Sequence, residues 1–380
     1  MGRFTFLNCQ HPSDCEATAW CRTARSTHRP ASTRMLFGFG RKPGNVPSSP
    51  VDEEQTQTLD RQRQQQLGAW LRTKQSTRDA TTTALRFDVG SFLKAGQGKS
   101  SAQNQDASFV KKGSNSSPTI VAVLDGHGSQ GAYVSKAVAN NLLSRLQQVR
   151  AEISEAEWEE LFSAVDADLE QRIRADEGGA TASVALVSRD GSLRGAWVGD
   201  SRVIVGGLQG SQVWAKALSI SHTTENPTEV RRIIKAGGVL QDTDTGRMRA
   251  ASTGSQRIGS TRGAEAKRGD TRTLFRFKVD SGVACTRAFG DFDQRPFCIS
   301  TPETFYARLA PQQALVLATD GVWDVLTNEE VMSVLAAVRE RGGDANSAAK
   351  EVALAARGRW VQYSPAYIDD VTVVVVVAVG

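Results

Sequence analysis

The sequence predicts an α+β fold in which antiparallel β-sheets pack together and α-helices cover them. Short apolar runs of strand length recur through the chain, and segments with helical periodicity lie between some of them. Strands and helices do not alternate one for one, as a parallel, doubly wound sheet would require. An arrangement with sheets inside and helices outside is therefore favoured.

Seven apolar runs predict buried strands. Each is five to nine residues long and most are rich in β-branched residues. The last run, which is almost entirely valine, is too short and too β-branched for a membrane-spanning helix. In chain order the runs are Ala84–Asp88, Thr119–Leu124, Ala182–Ser188, Leu193–Val198, Arg202–Gly206, Ala314–Thr319 and Val371–Val379.

Four segments predict helices, because of their apolar spacing and their end signals. Two of them begin at capping boxes, in which Ser154 precedes Glu157 and Thr327 precedes Glu330. Their aliphatic and aromatic faces are interpreted as surfaces that pack on the core. In chain order the predicted helices are residues 132–149, a segment from Ser154 to a stop at Gly178-Gly179, residues 227–237, and a segment that begins at Thr327.

The net charge of +5 is concentrated in the N-terminal tail. Residues 1–50 carry seven Arg or Lys against two acidic residues, so the remainder of the chain is neutral. A neutral body argues against a nucleic-acid-binding surface, and no apolar run reaches the length of a membrane span. We therefore expect no nucleic-acid partner and no membrane span, and a monomer is the default state.

Residues 1–80 are interpreted as a disordered basic tail followed by a polar helical linker, and residues 81–380 as the folded domain. The Arg- and Ser-rich tail fits an organellar transit peptide, and it fits a solvated tail equally well. The chain has five cysteines, an odd number, and no secretory apolar segment. These features favour a reducing compartment, the cytoplasm or nucleus, unless the tail directs the chain to an organelle.

Residues 242–272 are polar and rich in Gly, Ser and Thr, and they carry seven basic side chains. This composition predicts a long, flexible, basic flap within the folded domain. Two interpretations remain open, a solvated loop and a segment that attracts phosphate or docks a substrate.

Acidic residues occur at the edges of four predicted strands. Asp125, Asp200 and Asp320 each follow an apolar run, and Asp369 and Asp370 precede the final one. If these strands lie side by side, their ends bring the acids to one rim. Clustered carboxylates repel each other unless they are protonated or bridged by cations. Carboxylate oxygens favour Mg²⁺ or Mn²⁺ over zinc.

The tetrapeptide Asp125-Gly126-His127-Gly128 combines three kinds of chemistry at the end of one strand. Asp125 suits a hard cation, and the bare carbonyl of Gly126 can serve as a metal ligand. His127 can move a proton near neutral pH. The chain has only four histidines, two of them in the tail, so the body cannot build a histidine-rich zinc site.

Eight motifs follow one another along the chain. They are Asn104-Gln105-Asp106, Asp125-Gly126-His127-Gly128, Gly179-Ala180-Thr181-Ala182, Val198-Gly199-Asp200-Ser201-Arg202, Glu229-x-x-Arg232-Ile233 with Ala236-Gly237-Gly238, Thr286-Arg287-Ala288-Phe289-Gly290-Asp291, residues 319–326, and Asp369-Asp370-Val371-Thr372-Val373. Together they resemble the PPM-type (type 2C) metal-dependent serine/threonine protein phosphatases over residues 85–380.

The resemblance implies a central antiparallel β-sandwich flanked by helices, in four layers, with two Mg²⁺ or Mn²⁺ ions in a cleft at one edge. It implies that Asp125 bridges both metals, that the Gly126 carbonyl ligates one, and that Asp320 and Asp369 complete the other. Three further residues are implied around this centre: Asp106 and Gln105 through metal-bound water, and Asp200, with Asp320, at a weaker third metal.

The resemblance also implies the reaction, which is hydrolysis of phosphoserine and phosphothreonine in signalling phosphoproteins. A metal-bridging water would attack phosphorus in line, with Asp125 and Asp320 holding the metals and His127 as general acid for the leaving oxygen.

One departure from the family pattern leaves a second hypothesis open. Ser101 stands where many relatives carry a phosphate-binding arginine, and Lys99 is the candidate substitute. The second hypothesis is a catalytically weak or inactive module that binds phosphoproteins. A third is a metal-dependent hydrolase of nucleotides or small molecules.

Overall fold

The computed structural model describes residues 84–98, 103–149, 152–174, 178–242, 248–251 and 285–379. The N-terminal tail, Lys99, Ser101 and most of the predicted flap lie outside these residues, so what the sequence predicts for them stays a prediction. No helix in the described part of the chain is both long and apolar enough to span a membrane.

Two five-stranded antiparallel sheets form the centre of the molecule. The first sheet has the order β1-β15-β14-β8-β9, and the second has the order β13-β7-β6-β3-β2. Their strands are β1 (Arg86–Lys94), β2 (Ala107–Lys111), β3 (Thr119–Leu124), β6 (Ala182–Val187), β7 (Ser192–Val198), β8 (Arg202–Gln209), β9 (Gln212–Ala217), β13 (Glu303–Arg308), β14 (Ala314–Ala318) and β15 (Val371–Val379).

Two smaller sheets accompany them. A three-stranded sheet has the order β12-β5-β4, and β10 pairs with β11 at the start of the predicted flap. Their strands are β4 (Gly126–His127), β5 (Gly179–Ala180), β10 (Val239–Asp242), β11 (Met248–Ala251) and β12 (Phe289–Gly290).

The described residues form six α-helices. They are α1 (Gly131–Leu146), α2 (Glu155–Glu170), α3 (Pro227–Lys235), α4 (Asp320–Trp323), α5 (Asn328–Glu340) and α6 (Ala345–Tyr363). The four longest, α1, α2, α5 and α6, cover the outer faces of the two large sheets. Both predicted capping boxes are formed, at Ser154 before α2 and at Thr327 before α5. The predicted stop of the second helix at Gly178-Gly179 is wrong, because α2 ends at Glu170. Ile173 still packs on the core, so the apolar spacing continues beyond the helix.

The apolar core is divided into layers that follow from strand periodicity. In β15, Val374 and Val376 face the second sheet, whereas Val373 and Val375 face α5 and α6. This strand is therefore apolar on both faces, which explains its unbroken valine run. A third layer packs α1 and α2 on the outer face of the second sheet. The resulting helix–sheet–sheet–helix sandwich confirms the predicted fold class.

A buried ion network ties α3 to the chain that follows the flap. Glu229 on α3 is fully buried, and its carboxylate accepts hydrogen bonds from Arg232, Arg287 and the Thr286 hydroxyl. The guanidinium of Arg287 also reaches Glu303 on β13, at 3.2 Å. These partners lower the pKa of Glu229 from 4.5 to about 2, against the effect of burial. The network fixes the two ends of the segment that carries the predicted flap.

Candidate active site

The strand register brings the predicted acidic residues to one end of both sheets. In the first sheet, Ala318 at the end of β14 lies opposite the starts of β8 and β15. In the second sheet, the end of β3 lies opposite the starts of β2 and β6, and the end of β7 lies opposite the same end of β6. Five carboxylates follow or precede these strand ends: Asp106, Asp125, Asp200, Asp320 and Asp369.

Two of these carboxylates interact directly, although they come from different sheets. Asp125 follows β3, and Asp320 begins α4 directly after β14. The pKa of each is raised well above its usual range; burial is the largest cause, followed by the charge of Asp320 for Asp125 and of Asp200 for Asp320. A hydrogen bond between the two carboxyl groups requires a proton on one of them. Without cations, the two carboxyl groups therefore resist being ionised together.

Asp106 lies beneath this pair and joins the two central strands of the first sheet. Its Oδ2 atom accepts hydrogen bonds from the hydroxyl groups of Thr319, at 2.9 Å, and Thr372, at 2.7 Å. Thr319 directly precedes Asp320. Asp106 therefore supports the backbone that carries Asp320, and its charge acts on Asp125.

Gln105 and Asp370 hold the loops around the site by contacts with the backbone. The Gln105 side-chain amide donates to the Gly128 carbonyl at 2.8 Å, which fixes the turn that contains Asp125. Asp370 is buried and accepts hydrogen bonds from the backbone amides of Gly96 and Gln105, at 2.6 and 2.9 Å. Asp370, for which the sequence predicted no role, thus holds the Gln105 segment in place.

Gly126 lies where a side chain would not fit. A Cβ atom there would lie 2.6 Å from the carbonyl oxygen of Gln105 and would also overlap the carbonyl of Gly131. The close approach explains why glycine follows Asp125.

Asp369 lies just before β15, the last strand of the chain. Its Oδ1 atom accepts a hydrogen bond from the backbone amide of Asp370 at 2.8 Å, and its Oδ2 atom accepts one from the Tyr367 hydroxyl at 3.2 Å. The charge of this carboxylate acts on both Asp125 and Asp320.

His127 donates a hydrogen bond from Nε2 to Oδ2 of Asp291, with the atoms 2.7 Å apart. Burial lowers the pKa of His127, but the charge and the hydrogen bond of Asp291 and the charge of Asp200 outweigh burial, so the pKa is raised above 6.5. A larger fraction of the imidazole is therefore protonated at neutral pH. Asp291 belongs to one of the eight sequence motifs, but nothing in the sequence indicated its hydrogen bond with His127.

His222 holds the turn that carries Asp200. Its Nδ1 atom accepts a hydrogen bond from the backbone amide of Gly199 at 3.1 Å, and its ring stacks on Trp197. Burial lowers the pKa of His222, which keeps the ring neutral and Nδ1 available as an acceptor. Arg202 lies on the other side of this turn, packed over Trp323.

No group of three or more His, Cys, Asp or Glu side chains in the described ranges is arranged as a ready-made metal site. The fit of a cation is therefore judged on charge and on donor type. Oδ1 of Asp320 is buried without a hydrogen-bond partner in the described part of the chain, and the Asp125–Asp320 contact is repulsive unless protonated. The donors that gather here are oxygens, which suit Mg²⁺ or Mn²⁺. The residues fit hard divalent cations.

Two free cysteines, Cys285 and Cys298, lie near the site and are both buried. Burial raises the pKa of each thiol well above its ordinary value, so neither is a thiolate nucleophile at neutral pH. We expect a chain with Cys9, Cys15 and Cys21 replaced by serine to react with a thiol reagent only after unfolding. Fast reaction of the native protein, measured by absorbance, would contradict this assignment.

The comparisons with known proteins agree with this fold and identify the family. The family model for protein phosphatase 2C matches residues 86–362. "Probable protein phosphatase 2C 72" of Arabidopsis thaliana is 32% identical over 292 residues, which cover 71% of this chain and 80% of that protein. "Probable protein phosphatase 2C 61" of the same plant is 30% identical over 299 residues, which cover 76% and 83%.

A solved structure of serine-threonine phosphatase 2C from Toxoplasma gondii matches with a TM-score of 0.60 at 18% identity, covering 79% of this chain and 96% of that one. This likeness concerns the fold alone. The chain belongs to the protein phosphatase 2C family and is a serine/threonine protein phosphatase. The predicted family and enzyme class are confirmed, and enzymes of this family generally depend on Mg²⁺ or Mn²⁺.

Proposed function

We propose that this chain hydrolyses phosphoserine and phosphothreonine in proteins at the end of the sandwich where Asp125, Asp320 and His127 meet. The observation that carries the proposal is the register of the two sheets, which brings acids from both sheets to one rim beside a histidine with a raised pKa. Phosphorylated proteins are the substrates that the family suggests.

The metal-binding residues in this proposal are those at the strand ends. Asp125, the Gly126 carbonyl, Asp320 and Asp369 would hold two Mg²⁺ or Mn²⁺ ions, and Asp200 a weaker third. Such ions, when bound, neutralise phosphoryl oxygens and make water a nucleophile at neutral pH. Gln105 and Asp106 orient this set, because they hold the Gly128 turn and the Thr319 backbone.

His127 supplies the proton in this proposal. Departure of a serine or threonine oxygen leaves an alkoxide, which is a poor leaving group unless it is protonated. Burial lowers the pKa of His127, but the charge and hydrogen bond of Asp291 outweigh it and favour the protonated ring, and 30% of the imidazole side chain is exposed. These features support the proposed role of His127 as general acid.

Replacing His127 with glutamine is expected to lower kcat on a phosphothreonine peptide by about 10²-fold, since this is the usual contribution of one general acid. Hydrolysis of p-nitrophenyl phosphate should change little, because nitrophenolate leaves without a proton. Steady-state rates of both substrates, in Mn²⁺ and in EDTA, provide the test.

The wild-type rate on the peptide should also fall as the pH rises through the raised pKa of His127, and the variant should lack that limb. Equal losses on both substrates would contradict the general-acid role. A folded wild-type protein that releases no phosphate under any metal would favour the phosphoprotein-binding module instead.

A further inference from the structure

His127 and Asp291 are 164 positions apart in the sequence, yet their side chains meet. The three-stranded sheet brings them together. Gly179 in its middle strand, β5, pairs with His127 of β4 on one side and with Gly290 of β12 on the other. Asp291 directly follows Gly290, so both side chains arrive at the same edge.

Glycine at position 179 leaves the space in which these side chains meet. A Cβ atom on Gly179 would overlap the Asp291 carboxylate and would lie 2.5 Å from the carbonyl oxygen of Phe289. Any larger residue would push the carboxylate away from His127. The middle strand, β5, thus has no side chain at the position where His127 and Asp291 form their hydrogen bond.

Asp291 is itself held firmly. Its backbone lies in the left-handed region, with φ of 46°, and its amide donates to the Gly178 carbonyl at 3.1 Å. Asp and Asn adopt this conformation more readily than other residues with a side chain. The thiol of Cys298 lies 3.9 Å from Oδ2 of Asp291, and the carboxylate side chain is only 4% exposed.

The next support comes from α2, on the outer face of the second sheet. Asp166 of this helix is buried, and its Oδ1 atom accepts a hydrogen bond from the backbone amide of Gly290 at 3.0 Å. Its other oxygen pairs with Arg295, which follows the turn. Contacts from both sides therefore fix the turn that contains Asp291.

We propose that Asp291 is a positioning residue, which holds the His127 ring through Nε2 so that Nδ1 faces the phosphorylated substrate. In the described residues, Nε2 is the ring nitrogen of His127 with a hydrogen-bond partner. The proposal rests on the function proposed above for His127, since Asp291 acts through that ring. It predicts that removal of the carboxylate damages only the step that needs a correctly oriented acid.

The test uses the full chain with Mn²⁺ and two substitutions at Asp291. Asp291→Gly removes the side chain at a backbone conformation that glycine adopts without strain, and Asp291→Asn keeps the shape without the charge. We expect Asp291→Gly to lower kcat on a phosphothreonine peptide roughly tenfold or more, with KM unchanged. Hydrolysis of p-nitrophenyl phosphate should stay within about twofold of wild type, because it needs no acid.

The double variant with His127→Gln separates this proposal from the function on which it rests. If Asp291 acts through His127, the double variant is no slower on the peptide than His127→Gln alone. If Asp291→Gly hydrolyses the peptide as fast as wild type while His127→Gln is slow, the role of Asp291 is overturned and the role of His127 as general acid stands. A fast His127→Gln overturns the general acid first.

Two further measurements guard against a purely structural effect. Asp293→Asn is the matched control, because this nearby carboxylate bonds to Gln294 rather than to His127. Nitrogen-15 NMR of the histidine rings should show a hydrogen-bonded Nε2–H for His127 in the wild type and its loss in Asp291→Gly. An unchanged ring signal, or equal losses on both substrates, would overturn the proposal.

Discussion

Replacing Asp320 with asparagine is expected to abolish metal-dependent phosphate release, with a loss of about 10³-fold on a phosphothreonine peptide. The carboxylate lies against Asp125 between the two sheets, and a neutral amide there weakens cation binding. Cations contribute several kcal/mol to phosphoryl transfer, which corresponds to a factor of this size. The measurement is phosphate release over a range of Mn²⁺ concentrations.

The same substitution should stabilise the protein in EDTA. Because the pKa of Asp320 is raised in the folded state, its ionisation at neutral pH opposes folding, and asparagine removes that opposition. The midpoint temperature should therefore rise in EDTA, and Mn²⁺ should stabilise the wild type more than the variant. Asp190→Asn, in the hairpin at the opposite end of the second sheet, is the control: it loses a half-exposed ion pair with Arg308, so its midpoint temperature should stay the same or fall slightly in EDTA, and it should not rise. An Asp320→Asn protein that is less stable than wild type in EDTA would contradict the electrostatic account.

Replacing Glu229 with glutamine is expected to destabilise the fold by about 3 kcal/mol at pH 7. The substitution leaves the nearly buried Arg287 without its principal counter-charge, and breaking such a pair costs about 3–5 kcal/mol. The depressed pKa of Glu229 gives a similar figure, because a shift from 4.5 to about 2 corresponds to about 3 kcal/mol. Urea unfolding of the two proteins measures the difference.

The pH dependence of this difference follows from the same shift. A carboxylate with a depressed pKa stabilises the folded state above its unfolded pKa, and the effect is lost as the pH falls through its folded pKa. The difference in the free energy of unfolding between wild type and Glu229→Gln should therefore shrink as the pH falls from 4.5 to about 2. Glu225→Gln, on the exposed surface before α3, is the control and should unfold at the same urea concentration as wild type at pH 7. A difference between wild type and Glu229→Gln that stays constant in acid would assign the loss to packing.

The sequence predicted the centre of the sandwich better than its borders. The strands β2, β9 and β13 were not predicted, and all three lie at sheet edges. An edge strand is partly exposed, so it lacks the continuous apolar run that marks a central strand such as β15. Strands that are buried on both faces are therefore the ones that stand out in the sequence.

Helix α6 was missed for a different reason. It is the longest helix in the described residues, but its buried face consists largely of alanine, which contrasts little with the polar face. Alanine at the contact lets the helix lie close to β1 and β15. The packing thus depends on the small size of these side chains, and a search for hydrophobic periodicity does not detect small size.

In the candidate site, too, some features were predictable from the sequence and others were not. The acids at strand ends are visible in the sequence, because each stands beside a long apolar run. The contacts of Asp291 with His127 and of His222 with Gly199 depend on backbone conformation and on distant pairing. A left-handed aspartate and a neutral buried histidine leave no local pattern by which the sequence alone could identify them.

The division of the acids between two sheets has a mechanical consequence. Asp125 belongs to one sheet and Asp320 to the other, and the layer that separates these sheets is built from close-packed valine, leucine and alanine side chains. The distance between the two carboxylates is thus set by the thickness of that layer. A change of one methylene group in the interior, such as enlargement of Val374, would act on the active site as a spacer, although it touches no reacting atom. In this architecture the packing of the hydrophobic interior affects the spacing of the acidic residues at the end of the sheets.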